Sequence, residues 1–129
     1  MRLTSLMALV AAALSASWLP STARAHASVV ASTPVEAATV QAPRIVTLTF
    51  NEAMLQPTVG ASIVMTGMPG MANHQPMVIR NFVTNWSPDG RSMTLTLRQP
   101  LRAGTYEVRW QGAGADTHRM AGKLSFTAR

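Results

Sequence analysis

The feature that most constrains the fold of this chain is a strict two-residue alternation of apolar and polar side chains. In residues 44–50 (RIVTLTF), Val46, Leu48 and Phe50 fall on one face and threonines on the other. Successive side chains of a β-strand point to opposite faces, so this alternation predicts half-buried strands. The clearest predicted strands are 44–50, 92–97, 105–110 and 123–127, and the shorter ones are 28–31, 61–65 and 77–83.

Turn-forming residues separate the predicted strands at about the 8–12-residue spacing that is typical of sandwiches and barrels. No segment beyond residue 25 has a convincing helical period. About seven short strands in about 100 residues predict an all-β domain, an immunoglobulin-like Greek-key β-sandwich or a closed barrel of seven strands. The turn signals are Thr33-Pro34, Met68-Pro69-Gly70, Ser87-Pro88-Asp89-Gly90 and Ala103-Gly104.

The first 25 residues have the order of a secretory signal peptide rather than of a folded segment. A short positive start precedes an apolar run at residues 6–14, and small residues follow at 21–25. The run is shorter than the about 20 residues that span a bilayer, and no later segment resembles a membrane span. We therefore expect residues 1–25 to be removed and residues 26–129 to form one exported, soluble domain.

The position of the signal-peptide cut decides whether His26 is retained. Ala23-Arg24-Ala25 is a good cleavage site, and Ala25-His26-Ala27 is another. Sequence rules favour the first of these, and that cut makes His26 the new N-terminus. The second cut removes His26.

Charge and cysteine content exclude several classes of site. The chain has no cysteine, so neither disulfides nor thiolate metal sites are available. Without Arg2 and Arg24, nine of the eleven basic residues remain against five acidic ones, a formal charge of +4. The basic residues are scattered singly and are not interleaved with aromatics, which indicates a solvated surface rather than a nucleic-acid site.

Two of the three histidines lie beside hard donor atoms. A free N-terminal His26 offers its α-amine and its imidazole Nδ1, and nitrogen donors suit the tetragonal preference of Cu(II). In Asp116-Thr117-His118, an extended backbone would point the carboxylate and the imidazole to the same side. The carboxylate would be a ligand or would orient another donor. The alternatives are a frayed or removed terminus at His26 and an ordinary polar loop at residues 116–118.

The third histidine, His74, lies among methionines in the stretch MTGMPGMANHQPM. The Pro-Gly pair in this stretch excludes a helix. Thioethers are soft ligands that select Cu(I). Methionine also fills irregular core gaps, which suits Met65 but not Met68 and Met71, because these two flank a turn. Exposed methionines are prone to sulfoxide formation in an oxidising compartment, so the cluster favours a ligand role. Its members are Met65, Met68, Met71, His74 and Met77.

Six motifs, taken in order, are shared with one known family. They are the N-terminal His26, the S-x-P-x-E start (Ser32, Pro34, Glu36), LTFNE at 48–52, MTGMPGM at 65–71, AGTYEVRW at 103–110 and ADTHRMAG at 115–122. With these motifs the chain resembles the bacterial periplasmic copper-resistance proteins of the CopC/PcoC type. The resemblance covers essentially the whole chain after residue 25.

The resemblance implies a seven-stranded Greek-key β-barrel or sandwich with a different copper site at each end. The implied Cu(II) ligands are His26, through its amine and imidazole, Asp116 and His118. The implied Cu(I) ligands are Met65, Met68, Met71, His74 and Met77. Family members with this loop usually place one residue between the third methionine and the histidine, whereas Ala72 and Asn73 intervene here. We therefore expect a Cu(I) site of altered geometry. Many relatives lack the methionine loop and bind only Cu(II).

The expected function is a copper carrier that sequesters Cu(II) and Cu(I) for resistance and homeostasis or passes copper to a partner. By resemblance, that partner is an inner-membrane copper protein of the CopD type or another periplasmic copper protein, with no nucleic acid bound and no membrane insertion. One alternative is an enzyme, a histidine-brace copper oxidase similar to the polysaccharide monooxygenases. The small domain, its few aromatics and the carboxylate of Asp116 argue against that alternative. Another is an adhesion or scaffold module with incidental donors.

Overall fold

The computed structural model describes residues 26–72 and 74–129, so the predicted signal peptide lies outside the described residues. The described chain forms two stacked sheets, which confirms the predicted all-β sandwich. The strands are β1 (Val29–Thr33), β2 (Thr39–Val40), β3 (Ile45–Phe50), β4 (Gly60–Gly67), β5 (Met77–Ile79), β6 (Phe82–Trp86), β7 (Ser92–Leu97), β8 (Gly104–Ala113) and β9 (Arg119–Ala128).

The two sheets contain four and five strands. The four-stranded sheet has the order β1-β3-β7-β6, and the five-stranded sheet has the order β2-β9-β8-β4-β5. A 3-10 turn at Gln56–Thr58 precedes β4. Within the described ranges, no helix has the length and apolar character needed to cross a membrane.

The structure divides the single strand predicted at 77–83 between the two sheets. After Ile79 the backbone leaves β4, and from Phe82 onward it pairs with β7. If β5 and β6 are counted as two halves of one strand, the spatial order is β8, β4, β5/β6, β7, which is the 4-1-2-3 order of a Greek key. The remaining additional strand, β2, has two residues and pairs in parallel with β9. It is too short to show a periodicity.

The apolar faces of the two sheets meet in an aromatic and aliphatic core. The ring of Phe50 on β3 lies edge to face against Trp110 on β8, with centroids 5.0 Å apart, and so joins the sheets. Phe50 also stacks on Trp86 at 6.2 Å, and Tyr106 stacks on Phe126 at 5.6 Å. Fully buried aliphatic residues fill the space between these rings: Val46, Leu48, Leu95 and Leu97 from one sheet and Ile63 and Val108 from the other.

Strand β8 runs the length of the sandwich and therefore defines its two ends. Its first residue, Gly104, lies near the end of β4, where the methionine stretch begins. Its last residue, Ala113, leads into the turn that carries Asp116 and His118. We call these the methionine end and the histidine end. Ten strand residues at about 3.3 Å each separate them by about 30 Å.

Candidate metal sites at the two ends of the sandwich

Three side chains converge at the histidine end. His26 Nδ1 lies 3.0 Å from Asp116 Oδ2, and His118 Nδ1 lies 3.5 Å from the same oxygen. One potential ligand atom from each residue lies within 4.8 Å of the other two. The imidazoles are 49% and 61% exposed, whereas the carboxylate is 12% exposed. The cluster is therefore open to solvent on its nitrogen side and backed by protein on its oxygen side.

A tight turn, and not an extended segment, brings Asp116 and His118 together. Thr117 has φ of +63°, in the left-handed region that non-glycine residues seldom adopt. Its amide donates to Gly114 O at 3.0 Å, and the His118 amide donates to Asp116 Oδ1 at 3.2 Å. The side chains of Asp116 and His118 converge as predicted, but through this turn and not through the extended backbone that the sequence argument assumed.

Asn51 attaches the N-terminal segment to the end of β3. Its Nδ2 donates to His26 O at 3.0 Å, and its Oδ1 accepts from the Ser28 amide at 2.9 Å. Its own amide donates to Ser28 O at 2.9 Å. The side-chain amide thus acts as an extra peptide unit that fixes the direction of the chain at His26. In the sequence, Asn51 stands out only as part of LTFNE, and no role is predicted for it there.

Glu52, the next residue, supports the turn on the opposite side of the cluster. Its Oε1 accepts a hydrogen bond from the Ala115 amide at 3.0 Å. A side chain at Gly114 would overlap the Glu52 carboxylate, so this close approach requires glycine. Adjacent residues at the end of β3 therefore hold the two halves of the cluster, the N-terminal segment and the turn of residues 114–118. A polar pair directly after an alternating strand was the available sequence signal.

The carboxylate of Asp116 is held in its ionised form. The hydrogen bond from His26 lowers the pKa of Asp116 below its ordinary value, partial burial opposes this, and the His118 amide adds to the lowering. An anionic oxygen thus lies between two imidazoles. Nitrogen and oxygen donors of this kind suit Cu(II) in a tetragonal arrangement.

At the methionine end, a β-turn closes the segment Met68-Pro69-Gly70-Met71. The Met68 amide donates to Met71 O at 3.0 Å, and the Met71 amide donates to Met68 O at 2.9 Å. Gly70 has φ of +78°, and proline followed by such a glycine fits a type II turn. The turn leaves Met68 38% and Met71 54% exposed.

Three of the five predicted Cu(I) ligands line one groove, which we call the methionine groove. Met65, Met68 and Met77 are among the residues that line its volume of about 460 Å³. Met65 and Met77 are direct partners across β4 and β5. Met65 is only 6% exposed and belongs to the core as well, which agrees with the packing alternative noted for it. Met71 and His74 do not line the groove.

His74 lies in the segment between the turn and β5. Its Nδ1 contacts the carbonyl oxygen of Gln75 at 2.6 Å. Its Nε2 is buried and has no hydrogen-bond partner among the described residues. The Gln75 carbonyl can only accept, so Nδ1 donates to it and Nε2 carries the lone pair of the ring. Buried polar atoms are nearly always paired, and this unpaired nitrogen is therefore a candidate metal ligand within the methionine segment.

Comparison with known proteins agrees with both the fold and the motifs. A family model described as the CopC domain matches residues 29–129. Copper resistance protein C from Pseudomonas syringae pv. tomato is 40% identical over 123 residues, which cover 95% of this chain and 94% of the relative. Copper resistance protein C from Xanthomonas campestris pv. juglandis is 39% identical over 116 residues, 90% of each chain. The crystal structure of PcoC, a methionine-rich copper resistance protein from Escherichia coli, has a TM-score of 0.72 at 35% identity and covers 81% of this chain and 100% of that one.

Proposed function

The chain belongs to the CopC domain family of copper-resistance proteins, and from this premise we propose that it binds copper at both ends of its sandwich. Cu(II) binds at the histidine end through His26, Asp116 and His118. Cu(I) binds at the methionine end. The observation that carries this proposal is the convergence of two imidazoles on one ionised carboxylate.

Cu(II) binding at the histidine end uses the α-amine of His26 in addition to the three side chains. Chelation through the amine and Nδ1 requires the proton that Nδ1 shares with Asp116 to leave. The proton goes to solvent, and the Asp116 carboxylate, which stays ionised, then neutralises part of the charge of the ion. The amine is free only when the chain begins at His26, so the proposal includes cleavage after Ala25 and export to the periplasm. Intact mass of the exported protein tests that position, and a start at Ser28 would contradict it.

A Cu(II) titration of the exported protein tests the histidine end directly. We expect His118→Ala to lower the Cu(II) affinity, since it removes one imidazole from the cluster. His74→Ala is the matched control, because it makes the same chemical change at the other end. Equal affinities in the parent protein and His118→Ala would refute the Cu(II) site.

Support for Cu(I) at the methionine end comes from the donor set and its exposure. Met68 and Met77 present thioethers at a groove that is open to solvent, and Met65 adds a third from the core side. Met71 is hydrogen-bonded to Met68 across the turn, and His74 follows with an unused nitrogen. Sulfur donors favour Cu(I) over harder ions. Retained Cu(I) binding after joint removal of Met68, Met71 and His74 would exclude this loop as the ligand set.

We propose a carrier and not an enzyme. Asp116 offers an oxygen to the same point as both imidazoles, which fills a position that oxygen chemistry at a histidine brace needs open. The aromatic residues Phe50, Tyr106, Trp110 and Phe126 lie in the core, so they form no sugar-binding face. Sustained ascorbate-driven peroxide production by the copper-loaded protein would favour the enzyme instead. The proposed recipient of the copper is an inner-membrane protein of the CopD type or another periplasmic copper protein.

A further inference from the structure

Positive charge is concentrated at the methionine end of the sandwich. Besides Arg129 at the end of β9, four exposed arginines lie at this end, and none of these four contacts a carboxylate within residues 26–72 and 74–129. They are Arg44, Arg80, Arg98 and Arg102.

The acidic residues of the described chain lie elsewhere. Glu52, Asp89 and Asp116 are at the histidine end, where each accepts hydrogen bonds from nearby residues. Glu36 accepts from the Ser125 amide in β9, and Glu107 pairs with Arg109 and Lys123 on the outer face of the five-stranded sheet. None of these carboxylates is paired with the four arginines, so the border that they form is cationic.

Hydrogen bonds join the segments that carry these arginines into one rim. The Arg98 amide donates to Asn81 O at 2.9 Å, which places Arg98 beside the connection that contains Arg80. Arg44 donates through Nε to Leu97 O at 2.9 Å and through Nη2 to Arg98 O at 3.0 Å. Arg102 and Asn81 line the methionine groove itself. The groove thus has apolar and thioether walls and a positively charged border.

We infer that the methionine groove and its arginine rim form a docking surface for an acidic segment of a partner protein. The segment places an apolar or thioether side chain in the groove and its carboxylates against the rim. An apolar centre with a charged, exposed border is the usual anatomy of a protein interface. Exposed methionines adapt to different apolar partners because their side chains are flexible and polarisable. This surface extends the proposed function, on which it rests for the passage of Cu(I).

The charge of the rim also decides what approaches the groove. Like charge repels a free copper cation, whereas complementary charge steers an acidic protein and raises its association rate. Delivery or removal of the ion by a protein is therefore favoured over exchange with free ions. The partner segment is acidic for the same reason.

A probe peptide tests the docking surface without metal. The probe is an acetylated and amidated peptide of alternating aspartate and methionine, titrated into the metal-free, isotope-labelled exported protein and followed by amide NMR shifts. We expect the shifts to concentrate at Asn81, Leu101 and Arg102. Binding should weaken with added salt, because exposed charges are screened over about 8 Å at physiological ionic strength. A peptide of alternating lysine and methionine should not bind, and equal binding of both peptides would overturn the inference.

Two double variants with the same loss of charge separate the rim from net charge. Arg98→Gln/Arg102→Gln removes two rim charges, and we expect the probe to bind roughly five- to tenfold more weakly, as for two exposed ion pairs. Arg109→Gln/Lys123→Gln removes two charges from the sheet face and should change the affinity little. Equal weakening by both variants would overturn the inference.

Two further measurements distinguish a protein partner from a membrane and the docking surface from the copper site. Tighter binding to phosphatidylglycerol vesicles than to the acidic peptide would make the surface a membrane contact and would overturn the protein partner. Cu(I) affinity of the unmodified protein, measured by chelator competition, reports on the proposed function alone. If the protein binds Cu(I) but not the acidic peptide, the docking surface is refuted and the proposed copper site is not.

Discussion

The imidazole of His26 is hydrogen-bonded through Nδ1 to the carboxylate of Asp116 at 3.0 Å, although the two residues are 90 positions apart in the chain. The contact joins the segment before β1 to the turn between β8 and β9. Neither segment can hold this geometry alone, since Asn51 fixes the first and Glu52 the second. The histidine end is therefore assembled by the tertiary fold, and the end of β3 is its common support.

Replacing Asp116 with asparagine should weaken Cu(II) binding. The substitution keeps the size of the side chain but removes the charge and the acceptor for His26, so we expect the affinity to fall by about 10- to 100-fold. Competition titration against a Cu(II) chelator measures it. Asp89→Asn is the matched control, because Asp89 lies at the same end but bonds to Ser87 and Arg91. Equal losses in both variants would show a general charge effect and not a ligand.

Acid should remove the stability that Asp116 contributes to the metal-free protein. The hydrogen bond from His26 lowers the pKa of Asp116 in the folded state, so the folded protein favours the ionised carboxylate. That contribution is present above the ordinary aspartate pKa of about 3.9 and is lost as the pH falls through the lower folded value. The free energies of unfolding in urea of the parent and Asp116→Asn proteins should therefore begin to converge as the pH falls below about 4. A stability difference that grows with acid would contradict the lowered pKa.

Asn51→Ala should loosen the N-terminal segment without unfolding the domain. It removes the side-chain bonds to His26 O and the Ser28 amide, each worth about 1 kcal/mol. We expect faster hydrogen exchange at the Ser28 amide and weaker Cu(II) binding. Asn85→Ala, at an exposed position of β6, is the control. Unchanged exchange at Ser28 would show that the segment is held by other contacts.

Substitution of single methionines should rank the Cu(I) ligands by their place relative to the groove. Met77→Leu keeps the volume of the side chain but removes a thioether from the groove wall, and Cu(I) affinity should fall by about tenfold or more. Met71→Leu should have a smaller effect, because Met71 lies outside the groove. Cu(I) chelator competition measures both, with the buried Met93→Leu as the control for packing. A larger loss in Met71→Leu would place the site on the turn and not in the groove.

Tyr106 should ionise at a higher pH than an exposed tyrosine, and its ionisation should destabilise the fold. It is the only tyrosine, and burial raises its pKa above the ordinary value, so folding favours the neutral phenol. Its hydroxyl donates to Arg102 O at 2.7 Å, a bond that ionisation removes. Stability is therefore full below the ordinary tyrosine pKa of about 10 and declines above it. Tyrosinate absorbance in an alkaline titration reports this residue alone, and a midpoint at the ordinary value would contradict its burial in solution.

The strand pattern was predictable where alternation was long, as in β7, whose predicted and observed bounds are both 92–97. The division of residues 77–83 between two sheets could not be predicted, because a strand alternates with a period of two whichever sheet it joins. The missing information is the partner of each half, which local pattern does not contain. Pairing is a tertiary property.

For the site, the residue types that could act as ligands were predictable from the sequence, but their geometry was not. His26, Asp116 and His118 could be chosen from residue type. The left-handed backbone that brings two of them together could not be predicted, because it occurs at Thr117 and not at a glycine. The role of Asn51 depends on contacts to residues more than twenty positions away. Met71 lies outside the groove although it is hydrogen-bonded to Met68, which lines it, and no spacing rule predicts this difference.

Strand β8 also determines how the two ends influence one another. About 30 Å is several times the distance of about 8 Å over which physiological salt screens exposed charge. An ion bound at one proposed site would therefore impose almost no electrostatic penalty on a second ion bound at the other. If both proposed sites bind copper, we expect independent loading, with the fraction of doubly occupied molecules equal to the product of the two single occupancies. The two proposed sites would then act as a pair of uncoupled receptors on one small scaffold.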